Sequence, residues 1–279
     1  MDYRSYIIDD DNDDLAWAGP DETAPMRGLV PRDLKAQPVG YLGELCPPMH
    51  SVDIPLLPRS DWSAMIKEQE DRKSGLQHIW ANALSNGQHI PSLDQNGQGY
   101  CWAYAVAGCL EILRAVANLP YKRMSGHSIG CRVKNYRDEG GWGALALAHA
   151  VEHGCNDIQG WPEKSMSRRN DTPESRENAL LYKPTESWVD LQSPVYDRDL
   201  SFDQVVTLIL RDRVPVATDH FFWGHAVHAI GVVEVERNSF GILIRNSWTD
   251  RWGDRGTAVL RGSKAIPDNA VAPRVIRAA

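Results

Sequence analysis

From Cys101 to Val116, apolar or small residues fall at 101, 104, 105, 108, 109, 112 and 116, the three-and-four spacing of one helical face. The opposite positions include Ala103, Val106 and Ala107, which predicts a helix buried nearly all round. It should end near Asn118, because Pro120 follows. A second helix is predicted over Gly143 to His153, stopped by Gly154. A third runs from Phe202 to Asp212, where Ser201 and Gln204 form a capping-box pattern. Good helix formers also follow Trp62, from Ser63 to Lys73. Beyond Val214 the period changes. Val214 to Thr218, His225 to Val235, Phe240 to Arg245 and Thr257 to Leu260 read as strands separated by turn residues. Residues 160 to 200, polar and Pro-containing, read as loop. Helices precede strands, so the fold class is α+β, with a helical lobe facing an antiparallel β lobe across a cleft.

Residues 1 to 60 lack this periodicity. An acidic run from Asp9 to Asp14 reads as a solvated tail, and eight prolines between Pro20 and Pro58 argue for an extended arm. Residues 61 to 279 then form the main domain. Several states are open to the arm: disorder, wrapping the domain, covering the cleft, or contacting a partner assembly.

The chain has 279 residues and a formal net charge of -7, which argues against nucleic acid as a partner. No basic cluster is longer than Arg168-Arg169. No apolar run is long enough to span a bilayer, and MDYRSYIIDDDNDD lacks the marks of a signal peptide. These features predict a protein with no membrane partner in a cytoplasmic or other intracellular location. The five cysteines are irregularly spaced without a CxxC or Cys/His pattern, so no metal or cofactor is expected and free thiols are the simpler reading.

Chemistry enters at DQNGQGYCWAYAVAGCLE, where Cys101 follows a Gly-rich turn at the first residue of the buried helix. A helix N-terminus favours a thiolate. Cys101 is therefore either a packed thiol or a nucleophile. A nucleophile needs a base, and the base needs an orienting group. GHAVHAIG offers His225 and His228, which face opposite sides of a strand, so only one points at the cleft. Asn246 lies just past an apolar strand, within reach of a neighbouring His.

Together these blocks resemble the papain-like cysteine peptidases, with correspondences scattered from Asp61 to Gly262. The Gln95 turn with Cys101-Trp102-Ala103-Tyr104, the block Gly224 to Gly231, and Asn246-Ser247-Trp248 with Trp252-Gly253 and Gly256 carry the likeness. It implies a two-lobed cysteine endopeptidase in which Cys101 attacks a polypeptide substrate. His225 rather than His228 is then the base, Asn246 its orienter and Gln95 an oxyanion donor. Trp248 would shield the Asn–His bond. Gly140, Gly141, Trp142, Ala226 and Trp252 would contact substrate, with an apolar side-chain pocket at Trp142, Gly143 and Ala226. Departures are also visible. Gln98 and Gly99 stand where secreted members carry a disulfide Cys, and the arm lacks the long-helix pattern of an inhibitory prosegment. Alternatives are a transpeptidase or ligase using the same site, a catalytically silent binding or structural component, and an arm acting as an intrinsic inhibitor.

Overall fold

The computed structural model describes residues 6–17, 27–51, 54–84, 86–185 and 188–274. Its helices are α1 (Trp62–Arg72), α2 (Leu76–Ala81), α3 (Cys101–Val116), α4 (Gly126–Val133), α5 (Gly143–His153), α6 (Pro173–Leu180) and α7 (Arg198–Leu210). Its strands are β1 (Ile7–Ile8), β2 (Trp188–Asp190), β3 (Val216–His220), β4 (His225–Glu236), β5 (Ser239–Arg245), β6 (Thr257–Leu260) and β7 (Asn269–Pro273). The strands form one sheet in the order β1-β6-β5-β4-β3-β7-β2. One pairing departs from the expected antiparallel lobe: β1, supplied by the arm, runs parallel to β6.

Two apolar clusters divide the interior. One gathers α7, the long strands and Trp62, Trp223 and Trp252. The other gathers α3, α4 and α5. α3 lies between them. Every residue from Cys101 to Arg114 is buried, as its all-round apolar pattern requires. α5 spans the segment expected. α7 begins earlier than its sequence pattern suggests, because Asp197 rather than Ser201 accepts the helix N-terminal N–H, from Leu200. Gln204, freed from that cap, accepts the backbone N–H of Gln192 instead. α4, α6, β2 and β7 were not expected; α6 and β2 occupy the segment read as loop.

The arm clamps both lobes. After β1, Asp10 accepts from Ser263 and Asp13 pairs with Lys264 at 2.7 Å, so the acidic run is docked on the β lobe rather than being a solvated tail. Residues 27–30 then cross between the lobes. Beyond them Arg32 forms a buried ion pair with Asp190 of β2, whose backbone N–H donates to the Pro47 carbonyl at 2.7 Å.

Candidate active site

α3 places Cys101 at its first residue, fully buried. Backbone groups of Ala226 and Gly28 hydrogen-bond to the thiol. Ala226 directly follows His225, so the first residue of α3 and the start of β4 meet in the buried interior shared by the two elements.

 

On β4, His225 and His228 point to opposite sides. His228 presses on α3 at Gly108, where an added Cβ would lie 2.5 Å from its ring. His225 instead faces Asn246: its Nε2 donates to Asn246 Oδ1 at 2.7 Å. That same oxygen accepts the Ser247 backbone N–H at 2.7 Å, which fixes it as the acceptor and places the imidazole proton on Nε2. Nδ1 of His225 is left buried without a partner. Trp248 covers the pair, its ring 4.2 Å from the imidazole, and Trp223 lies 4.8 Å away on another side.

Gln95 is tied to the Asn246 turn. Its backbone N–H donates to the Ser247 carbonyl at 2.9 Å, and its Oε1 accepts from Ser247 Oγ at 2.7 Å. Its Nε2 donates to the Gln98 carbonyl at 2.7 Å. The turn before α3 and the turn after β5 are thereby held together, with Asp94 bridging Trp248.

Gly141 is engaged by the arm. Its N–H donates to the Gly28 carbonyl and its carbonyl accepts from Val30, both at 2.9 Å, in a parallel bridge centred on Leu29. Leu29 N–H also donates to the Gly224 carbonyl at 3.3 Å, beside His225. Gly140 packs against Gly28 and Val30, Trp142 is half-buried, and Ala226 is buried. Trp252 is fully buried behind Trp223, and its indole N–H donates to the Ala16 carbonyl at 3.2 Å. In this arrangement Trp252 carries the arm on the β lobe and presents no surface to a substrate.

Burial dominates the electrostatics. It pushes the Cys101 thiol up to about 12, against the hydrogen bonds from Ala226 and Gly28. It holds His225 down at about 3, against its bond to Asn246. With the arm in place, the neutral thiol and neutral imidazole are therefore favoured.

Sequence reasoning missed three contributors. Asp219 on β3 lies opposite Ala226 and accepts the Gly143 N–H at 3.1 Å, while its Oδ1 is buried without a partner. Burial pushes its carboxyl up to about 7. A carboxyl in the strand Val-Ala-Thr-Asp-His was its only local signal. Ser247 holds Gln95, and Trp223 completes the aromatic box around His225.

A chain with a buried Cys at the start of a helix in one lobe and an Asn-held His on the sheet of the other has clear counterparts. No protein-family model matches the chain. It is 22% identical to zingipain-2 of Zingiber officinale over 188 residues, 61% of this chain and 81% of that one. Among solved structures it is similar to procathepsin L2 of the Tenebrio molitor larval midgut, with a TM-score of 0.57 and 20% identity over 90% of this chain and 78% of that one. It is also similar to a mite allergen of the Blo t 1 and Der p 1 pair, with a TM-score of 0.53 and 18% identity over 66% of each chain. The chain has the papain-like fold. Its curated relatives are papain-family cysteine proteases. Among the described residues, no helix of this papain-like chain is long and apolar enough to cross a membrane. Nothing in the relatives supports the intracellular location expected above.

Proposed function

We propose that the chain is a papain-like cysteine endopeptidase acting through Cys101, His225 and Asn246. The observation that carries this reading is the 2.7 Å bond from His225 Nε2 to Asn246 Oδ1, which leaves Nδ1 for the thiol proton. Cys101 Sγ attacks a peptide carbonyl carbon while His225 Nδ1 takes the thiol proton. The Cys101 backbone N–H and the Gln95 amide stabilise the oxyanion, each worth on the order of 3 kcal/mol. Using Gln95 this way requires its Nε2 to leave or share the Gln98 carbonyl. The imidazolium then gives its proton to the leaving amine, and water releases the acyl group. A polypeptide substrate pairs with Gly141 in the place now taken by residues 28–30.

In the same reading, the arm is an intrinsic inhibitor. Its backbone holds Gly141, its Gly28 touches the thiol, and the site beneath is fully buried. Activity follows displacement or cleavage of the arm.

The test is labelling by an epoxysuccinyl inactivator, followed by peptide mapping, on intact and arm-trimmed protein. Labelling at Cys101 that rises after trimming and is slowed in His225→Ala supports both parts. Labelling that is equal in both forms rejects the inhibitory arm alone. A trimmed, folded protein that never labels rejects the peptidase and leaves the silent component.

A further inference from the structure

A cavity of about 660 Å3 opens in the helical lobe. It lies at the far end of α5 from the cleft: the helix starts beside Trp142 and ends at His153, eleven residues later. That length is roughly 16 Å, so an occupant would not compete with a chain lying on Gly141.

The lining carries an excess of positive charge. Arg132, Arg168 and Arg176 face one carboxylate, Asp171. Asp171 is already committed: Oδ1 accepts from Arg132 Nε at 3.1 Å, and Oδ2 accepts from Arg176 Nη2 at 2.7 Å and from the Tyr136 hydroxyl. Arg132 also donates to Asn156 and Ser175, so it serves the framework. Arg168 donates to Asn135, lies 4.7 Å over the Tyr136 ring, and forms no ion pair among the described residues. Three guanidiniums against one carboxylate leave two positive charges without a local counter-charge.

The second observation is His149. Its Nε2 is buried, lines the same cavity and has no hydrogen-bond partner. Leaving such a group unpaired carries a desolvation cost with nothing to offset it. Cations gathering at the C-termini of α4 and α5 explain Arg132 and His153. They explain neither Arg168, which comes from a separate loop, nor the bare nitrogen of His149.

We propose that this cavity binds a small multivalent oxyanion, a phosphate or sulfate ester, on Arg168, Arg176 and His149. The volume falls within the range of small-molecule sites. Guanidinium groups suit tetrahedral oxyanions because their N–H groups form a planar fork. An oxygen at His149 would satisfy its Nε2. The groups facing this imidazole are His153, Arg132, Arg176 and Asp171, and burial with the surrounding cations holds it down at about 3. A bound anion reverses the sign of that local field.

The experiment uses the full chain at constant ionic strength, titrated separately with inorganic phosphate, sulfate and chloride. Binding is followed by calorimetry and by the His149 Cε1–H resonance, alongside Arg168→Gln and Arg176→Gln. Both arginines are exposed, so the variants should fold. The expected result is saturable one-to-one binding with a His149 shift, weakened at least tenfold in each variant. Saturation by phosphate alone assigns the phosphate-ester class; saturation by both assigns tetrahedral shape and charge. Overturning results are no saturation, an equal response to chloride, or unchanged affinity in both variants. None of these outcomes depends on peptidase activity.

Discussion

Gly28 lies so close to Gly99 that a Cβ built on it would sit 2.0 Å from the Gly99 carbonyl oxygen. Backbone meets backbone there, so neither side can yield by a rotamer change. Gly28→Ala should lift the arm from Gly141 without altering any proposed catalytic residue. We expect Cys101 labelling of the intact chain to rise at least tenfold, equivalent to about 1.4 kcal/mol of lost closure. Unchanged labelling in the folded variant would count against the inhibitory arm.

Arg32 and Asp190 anchor the arm just past the crossing, bonded at 3.1 and 2.9 Å and both almost fully buried. Arg32→Ala leaves the carboxylate buried without its cation, a loss of about 3–5 kcal/mol. Urea unfolding should show that loss, and labelling of Cys101 should accelerate below the unfolding transition. A stability change under 1 kcal/mol by the same measurement would refute the anchor.

Asp219 makes stability fall as pH rises. Its folded value of about 7 lies above its ordinary 3.8, so the folded chain holds the proton more tightly. That contribution is complete below about pH 4 and is lost as pH rises through 7, up to about 4 kcal/mol. Asp219→Asn should therefore be more stable than the parent at pH 8 and gain nothing at pH 4. Parallel pH–stability curves for the two proteins would contradict this.

His228 packs on Gly108 and has no role in the proposed mechanism. Gly108→Ala should cost about 1–3 kcal/mol through overpacking. Adding His228→Ala should restore part of the loss, read as a coupling energy in a double-mutant cycle. Trimmed His228→Ala should label at Cys101 like the trimmed parent, in contrast to His225→Ala.

The order of Cys101, His225 and Asn246, the spans of α3 and α5, and strands β3 to β6 were all legible in the sequence. They rest on local signals: side-chain period, turn residues and short blocks. The two-residue β1 and the run Asn-Ala-Val-Ala-Pro of β7 carry too little pattern to be read alone. α6, with Pro173, Glu174 and Ser175 in its first turn, looks like loop until Thr172 caps it. Asp197 caps α7 in place of Ser201, while Gln204 is engaged by the Gln192 N–H, a partner distant from the cap. Only the tertiary structure decided the path of the arm, because its pairing with Gly141 and the Arg32–Asp190 bond, 158 residues apart in the chain, have no local signature. The same holds for the ionisation of the site. Residue types set the ordinary proton affinities of Cys101, His225 and Asp219, but burial beneath the arm and between the lobes moved all three toward their neutral forms.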